Sequence, residues 1–238
     1  MKRLTEFLNN NTYPGRGIVL GTSPDGTKQV IIYFIMGRST NSRNRVFVDC
    51  GDSVRTKVYD EAKLADPSLI IYTPVRSLDG KLIVTNGDQT DTIYNTLLAG
   101  GTFMQALRKR AYEPDSPNFT PRISGIIDDN GYALSILKAQ NSNMQGPCAR
   151  FSYEYQHYQG TGRFIHTYMG DGNPLPTFEG EPRCVAIEET NAAELAKNTW
   201  NALDPENRVS LLCCYRDMGS DKCEFEIINA NGGNANEV

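Results

Sequence analysis

Arg38, Arg43 and Arg45 lie within one short polar segment that follows a strongly apolar run. Arginine is favoured where a phosphate or carboxylate is held through two parallel hydrogen bonds. The whole chain has a net charge of −4, so this local excess of positive charge marks a candidate anion site. The alternative is a solvated surface loop, which such segments form more often, and the residues alone leave both interpretations open.

A second polar segment, residues 85–92, lies between a predicted strand and a predicted helix. The first N–H groups of a helix lack partners within the helix and can bind anions or carbonyl oxygens. The alternative is an ordinary helix cap by Thr90 or Asp91 after a turn at Asn86-Gly87. A capped helix end can still bind a ligand, so this alternative does not exclude a site. The candidate binding residues are Asn86, Gly87, Asp88, Thr90 and Asp91.

The third segment, residues 112–122, contains three prolines and joins a predicted helix to a predicted strand. Loops held by a rigid scaffold often carry function. Glu113 is the candidate general acid or base, because a carboxylate buried near apolar groups can have its pKa raised toward neutrality. The alternative is a structural connection with a glutamate on its surface.

Other familiar chemistries lack their motifs. The six cysteines form no CxxC pair and there are two histidines, so we predict no metal site and no cofactor. We find neither a phosphate-binding Walker sequence nor a GxSxG nucleophile elbow. The negative charge disfavours nucleic acid and membrane surfaces as partners. An apolar run of about 18 residues and the apolar core of a signal peptide are both missing, so we expect a cytoplasmic protein.

The elements that must position these segments are mainly hairpins. Predicted turns at residues 24–26, 79–80 and 128–131 each separate two apolar runs. The middle hairpin is predicted to join strands at residues 68–72 and 81–85. Many hairpins with few helical segments favour an α+β fold of stacked antiparallel sheets with helices outside.

Two helical patterns complete the prediction. The first covers residues 91–110, where Gly100-Gly101 can split it into two helices, and the second covers residues 192–203 after a cap at Asn191. We expect one domain over residues 1–228. The remaining residues, 229–238, are poor in apolar side chains and are expected to form a disordered tail.

Taken in order, the chemical segments resemble the archaeal-type IMP cyclohydrolase family. Four stretches carry the resemblance, which is good over residues 13–138 and loose beyond them; the third stretch is the most distinctive. They are Gly15-Arg16-Gly17-Ile18, Gly37-Arg38-Ser39 through Arg43-Asn44-Arg45, Asn86-Gly87-Asp88-Gln89-Thr90-Asp91-Thr92-Ile93, and Tyr112-Glu113 with Thr120-Pro121-Arg122-Ile123. Two features depart from the family: the chain is longer than expected, and Gln89 stands where a relative has histidine.

The resemblance implies a four-layer αββα sandwich similar to that of N-terminal-nucleophile hydrolases, without self-cleavage. It implies an enzyme that closes 5-formamidoimidazole-4-carboxamide ribonucleotide to IMP with loss of water, a reaction that requires neither metal nor redox cofactor. Family members also suggest a homo-oligomer. The nucleotide is then the small-molecule partner.

The same resemblance implies roles for the candidate residues. Glu113 would move protons with Tyr112 or Tyr72 nearby, and Arg122 would hold Glu113 or contact substrate. The remaining assignments are Arg38, Arg43 and Arg45 for the phosphate or the carboxamide oxygen, and Asn86, Thr90 and Asp91 for the base and ribose. Arg43 is counted among the catalytic candidates, and Gly87 and Asp88 among the binding ones.

Three other functions stay open at this point. The fold could serve a hydrolase that acts on another small amide. The chain could also be a purine nucleotide-binding protein without catalysis, or a structural protein whose arginine segment is only surface.

Overall fold

The computed structural model describes residues 1–64, 67, 70–141, 144–220 and 222–232. The strands are β1 (Arg16–Thr22), β2 (Lys28–Met36), β3 (Arg45–Asp49), β4 (Ser53–Val58), β5 (Val75–Leu78), β6 (Lys81–Thr85), β7 (Arg122–Asp128), β8 (Gly131–Ala139), β9 (Cys148–Tyr155), β10 (Thr161–His166), β11 (Arg183–Ala186), β12 (Arg208–Asp217) and β13 (Glu224–Asn229). The helices are α1 (Leu4–Asn9), α2 (Thr40–Arg43), α3 (Gln89–Leu98), α4 (Phe103–Arg108) and α5 (Ala192–Ala202), and a 3₁₀ turn covers Glu61–Lys63. The predicted α+β class is confirmed.

The strands form two antiparallel sheets. The first has the order β11-β10-β1-β2-β12-β13, and the second runs from β3 to β9 in chain order. The second sheet is therefore a meander in which each strand pairs with the next. The turns predicted at residues 24–26, 79–80 and 128–131 join β1 to β2, β5 to β6 and β7 to β8, which confirms all three.

Strand β2 is apolar along nearly its whole length because both faces of the first sheet are covered. Ile31, Tyr33 and Ile35 face the second sheet in the central core. The alternate residues, such as Val30 and Phe34, pack on the other side in a cluster that includes side chains of α1 and α5. The two faces of this one strand thus pack into two separate cores.

The outer face of the second sheet has its own smaller core. Ile83 and Leu137 from the sheet pack there against Ile93 of α3 and Phe103 of α4. The order of layers is therefore helices, sheet, sheet and helices. Because β6 and β7 are antiparallel neighbours, the loop that enters α3 and the loop that leaves α4 lie at the same end of the second sheet.

The strand predicted at residues 68–72 is wrong in position. Strand β5 starts only after Pro74, which has no N–H to donate to a sheet ladder. The backbone of Tyr72 instead bonds to Thr56, whose N–H donates to the Tyr72 carbonyl oxygen at 2.9 Å. Residues 68–69 lie outside the described residues.

Both helical patterns are confirmed, the first as two helices. Gly100 adopts φ 78°, a left-handed conformation that ends α3 and favours glycine. The side chain of Asn191 caps α5 by accepting a hydrogen bond from the N–H of Glu194 at 2.9 Å. None of the helices in the described parts of the chain is long and apolar enough to cross a membrane.

The predicted tail begins inside a strand, because Asn229 is the last residue of β13. Its side chain accepts a hydrogen bond from the N–H of Phe47 at 2.9 Å and donates one to the Phe47 carbonyl oxygen at 3.0 Å. These bonds join the edge strands of the two sheets. Residues 233–238 lie outside the described residues.

Candidate active site

Glu113 lies in the loop between α4 and β7, with 5% of its surface exposed. Its N–H donates to the carbonyl oxygen of Thr120 at 2.9 Å. Its carboxylate makes no hydrogen bond with the described residues, and Nη1 of Arg122 is 3.9 Å from Oε1. Burial raises the pKa of Glu113 to about 7, although the positive charges of Arg16 and Arg122 oppose that rise. A carboxyl that is half protonated near neutral pH can both accept and donate a proton.

Arg122 connects Glu113 to the start of α3. Its Nη1 donates to Oε1 of Gln89 at 2.6 Å and lies 2.7 Å from Oδ1 of Asp88. Gly87 leaves the space that the guanidinium occupies, since a Cβ atom there would lie 2.5 Å from Nη1 of Arg122. The structure therefore brings the second and third polar segments of the sequence together around one carboxylate.

Asp88 lies between two arginines, Arg110 and Arg122. Arg110 donates a hydrogen bond to its carboxylate. Partial burial acts to raise the pKa of Asp88, but the hydrogen bond from Arg110 and the charge of Arg122 together lower it. Asp88 therefore stays ionised at neutral pH and offsets part of the Arg122 charge, which leaves Glu113 less stabilised as an anion.

Asn86 and Thr90 use their polar atoms to hold the local backbone. Oδ1 of Asn86 accepts hydrogen bonds from the N–H of Ile123 and from Nε2 of Gln89, both at 2.9 Å. The Thr90 hydroxyl donates to the carbonyl oxygen of Gly87 at 3.0 Å. All of these side chains are buried, so they fix the shape of the site around Arg122.

Arg45, the first residue of β3, is fully buried. Its Nε donates to the carbonyl oxygen of Ser42 at 3.0 Å, but Nη1 and Nη2 have no partner among the described residues. Burial lowers the pKa of this guanidinium, yet arginine stays charged at neutral pH. A buried cation with two unused donors is unfavourable unless an anion accepts hydrogen bonds from those donors. Arg45 is thus the strongest candidate for holding a negatively charged ligand.

Tyr72 and Tyr33 form a buried pair near Arg45, with their hydroxyl oxygens 2.7 Å apart. Burial raises the pKa of both phenols, and for Tyr72 the charges of Arg45 and Arg16 act in the opposite direction. Both tyrosines therefore keep their protons at neutral pH. One hydroxyl donates to the other, which leaves the second proton available to a ligand.

Arg16 belongs to this group, although the sequence analysis did not select it. It is the first residue of β1 and interacts electrostatically with Glu113, Tyr72 and Tyr168. Its guanidinium makes no hydrogen bond with residues in the described ranges. The available signals were its charge at the start of a buried strand and its place in the first stretch of the family resemblance. Its distance in sequence from the three polar segments left it without an assigned role.

The arginine segment is divided between two environments. Arg45 is buried and interacts electrostatically with Tyr72 and Glu113. Arg38 forms an ion pair with Asp171, with Nη1 2.5 Å from Oδ1, and is partly exposed. Arg43 donates to the backbone carbonyl oxygen of Glu206. Neither Arg38 nor Arg43 contacts Glu113 in this structure.

The side chains of two further predicted residues make their contacts away from the Glu113 carboxylate. Asp91 forms an ion pair with Arg76, at 2.8 Å between Oδ1 and Nη1, and lines a separate polar cavity of about 250 Å³. Tyr112 is partly exposed, and its hydroxyl donates to the carbonyl oxygen of Gly146 at 2.7 Å. The cluster at Glu113, including the residues that reach it through Arg45 or Arg122, consists of Arg16, Arg45, Tyr33, Tyr72, Gly87, Asp88, Gln89 and Arg122.

Both histidines have structural contacts outside this cluster. Nδ1 of His157 is 2.9 Å from the Thr22 hydroxyl, and Nδ1 of His166 is 2.8 Å from the Tyr168 carbonyl oxygen. Burial lowers the pKa of His166 to about 4. Within the described ranges, no group of three His, Cys, Asp or Glu residues is close enough together to hold a metal ion.

Comparisons with known proteins point to one family. The family model described as "IMP cyclohydrolase-like protein" matches residues 13–221, which include every residue of the cluster. The IMP cyclohydrolase of Methanopyrus kandleri is 34% identical over 126 residues, which are 51% of this chain and 62% of that protein. That of Methanothrix thermoacetophila is 30% identical over 128 residues, 52% of this chain and 62% of that protein. The matches thus span less than two thirds of these relatives' length.

Proposed function

The chain belongs to the family of IMP cyclohydrolase-like proteins, and on this premise we propose that it is an enzyme that closes the second ring of the purine base. The substrate is 5-formamidoimidazole-4-carboxamide ribonucleotide, and the products are IMP and water. The carboxamide nitrogen attacks the formyl carbon and loses one proton, and the formamido nitrogen loses a second. The formyl oxygen takes up both protons and leaves as water. The reaction is redox neutral and joins two groups of one molecule, so the proposal includes no cofactor.

The observation that carries this proposal is the buried Glu113 carboxyl with a pKa raised to about 7. Ring closure needs a base for the attacking nitrogen and an acid for the departing hydroxyl. A single carboxyl that titrates near neutral pH serves both steps in turn, because it returns the proton that it has taken. The net reaction then leaves Glu113 in its starting state.

The hydrogen-bond donors near Glu113 are assigned to stabilising negative charge on the substrate. Arg45 offers two unpartnered donors, and Tyr72 offers a hydroxyl beside it. We assign these groups to the oxygen on which negative charge develops, where preorganised donors contribute most to rate. Arg16 and Arg38 are our candidates for the 5′-phosphate. Arg122, held by Gln89, keeps Glu113 in place rather than contacting the nucleotide.

The test is a direct assay with the purified protein and the formamido nucleotide, following absorbance as IMP forms. The Glu113→Gln variant keeps the size of the side chain but cannot exchange the proton. We expect kcat to fall by about 10² to 10⁴-fold with a much smaller change in KM. Unchanged turnover would remove Glu113 from proton transfer.

The same experiment separates the alternatives. Tight binding of IMP without turnover would indicate a nucleotide-binding protein, and hydrolysis of other small amides without ring closure would indicate an amide hydrolase. Absence of both binding and turnover would reject any nucleotide function.

We further propose that residues 1–228 form one domain whose two-sheet sandwich has the topology of N-terminal-nucleophile hydrolases. The shared core between the two sheets supports a single domain. We propose a cytoplasmic homo-oligomer. Sedimentation equilibrium on the full chain tests the self-association.

A further inference from the structure

The loop that carries Glu113 is tied to a distant part of the chain, residues 167–178. The hydroxyl oxygens of Thr120 and Tyr168 are 2.6 Å apart. A second contact lies nearby, where the side-chain oxygen of Asn118 accepts a hydrogen bond from the N–H of Leu175 at 3.2 Å. The far segment therefore holds the loop at two points.

The direction of these hydrogen bonds follows from the acceptors. The Thr120 hydroxyl donates to Oδ2 of Asp115. Thr120 has one hydroxyl proton, which it gives to Asp115, so its oxygen must accept the proton of Tyr168. The N–H of Thr120 also donates to Oδ1 of Asp115 at 2.6 Å, and its carbonyl oxygen accepts from the N–H of Glu113. Thr120 thus links Tyr168 to the backbone of Glu113.

Tyr168 is a rigid anchor for this link. It is 1% exposed, and its ring stacks on that of Tyr13, with the centroids 6.1 Å apart. Gly15 fits beneath it, since a Cβ there would lie 2.5 Å from Cδ2 of Tyr168. A hydroxyl on so fixed a ring can define the position of its partner.

The loop itself needs such restraint. Phe119, directly before Thr120, has φ 44°, a left-handed conformation that residues with a side chain rarely adopt. This conformation persists only where the surroundings hold it. Released from Tyr168, the loop would relax and admit water to the Glu113 carboxyl.

We propose that Tyr168 is a positioning residue for Glu113, acting through the Thr120 hydroxyl. The catalytic consequence rests on the proposed function, whereas the restraint of the carboxyl does not. Residues 167–178 then form one side of the active site. Arg38 also binds this segment, through the carboxylate of Asp171.

The experiment compares four variants of the full chain. Tyr168→Phe and Thr120→Val each remove one hydroxyl from the link, while Thr120→Ser keeps it. Tyr215→Phe is the matched control, because that buried hydroxyl donates to the carbonyl oxygen of Glu189 instead. The readouts are the titration of the Glu113 carboxyl, followed by NMR with ¹³C-labelled glutamate and assigned with Glu113→Gln, and the pH profile of kcat.

In Tyr168→Phe and Thr120→Val, the pKa of Glu113 should fall from about 7 toward 4.5, because water reaches the carboxyl. We expect kcat to fall about tenfold, with KM within about twofold of the parent value. Thr120→Ser and Tyr215→Phe should leave both quantities unchanged. An unaltered Glu113 titration in the first two variants would overturn the proposal. If the parent shows no cyclohydrolase activity, the proposed function fails, and the titration still decides this inference.

Discussion

Oε1 of Glu113 lies 3.9 Å from Nη1 of Arg122, so these two buried side chains attract each other without a hydrogen bond. A direct hydrogen bond from the guanidinium would favour the ionised carboxylate and lower its pKa. Arg122 instead bonds to Gln89 and pairs with Asp88. Because Arg122 is held by these two partners, it does not hydrogen-bond to Glu113. Burial therefore keeps the Glu113 carboxyl protonated up to about neutral pH.

This arrangement predicts how stability depends on pH. The pKa of Glu113 rises from 4.5 to about 7 on folding, so between these values the folded protein holds a proton that the unfolded chain has released. Protonation of Glu113 therefore contributes roughly 3 kcal/mol to the free energy of unfolding below pH 4.5. This contribution is lost as the pH rises through 7. His166 titrates in the opposite sense, because burial lowers its pKa to about 4.

The difference between the parent and Glu113→Gln isolates the glutamate, since His166 is common to both. Urea denaturation at a series of pH values from 4.5 to 7.5 should show the parent losing stability relative to the variant as the pH rises. A difference that stays constant with pH would mean that the carboxyl titrates at its ordinary value.

Gly87→Ala is predicted to impair catalysis by displacing Arg122. The new Cβ would lie 2.5 Å from Nη1 of Arg122 and 2.7 Å from Oε1 of Gln89. We expect activity to fall at least about tenfold, as misplacement of a supporting group commonly does, with only a small change in Tm. Gly146→Ala is the control, because nothing lies within 4 Å of a Cβ there. Equal activity in both variants would show that the close approach of Arg122 to the Gly87 backbone is not needed for catalysis.

Most of the fold followed from local patterns. The turns at residues 24–26, 79–80 and 128–131 have Gly or Asn at positions that favour tight reversal, and Gly100 marked the break between two helices. Strand β5 was misplaced because the apolar run at residues 68–72 resembles a strand, whereas Pro74 decides where the sheet ladder can begin. The hairpin pattern favours stacked sheets with helices outside, whereas the four-layer αββα form is implied only by the family resemblance.

The site was less predictable, since its residues meet only after the sheets pack. Glu113, Arg122 and Gly87 belong to the polar segments themselves, so the sequence identifies them as candidates. Arg16 and Tyr168 were not, because they belong to β1 and to the segment after β10. The periodicity of a strand indicates which face a residue takes but not which distant loop will cover it.

Arg43→Ala tests the substrate-binding role that the family resemblance implies for Arg43. The Arg43 guanidinium donates to the backbone carbonyl oxygen of Glu206. Removing the guanidinium also removes a longer hydrogen bond to the carbonyl oxygen of Gly37. The loss should lower the free energy of unfolding by about 1 kcal/mol, because the site is partly exposed, and should leave KM within about twofold. Denaturation and steady-state kinetics measure the two effects. A large rise in KM with unchanged stability would return Arg43 to the phosphate site.

Arg45→Met is predicted to separate function from stability. Arg45 is buried with two unpartnered nitrogens, so an apolar side chain of similar length should leave Tm unchanged or raise it, as happens when buried charges are replaced by apolar groups. Activity should fall by at least about 10²-fold if Arg45 stabilises developing charge. IMP should raise the Tm of the parent but not of the variant.

Arg216→Met is the matched control. Arg216 is equally buried, but it donates to Gln29 and to the carbonyl oxygen of Gly80 at the turn between β5 and β6. Its replacement should lower Tm while the folded enzyme stays active, because Oε1 of Gln29 and the carbonyl oxygen of Gly80 lose the donor that Arg216 supplies. Loss of stability in Arg45→Met with activity retained would mean that Arg45, like Arg216, serves only the fold.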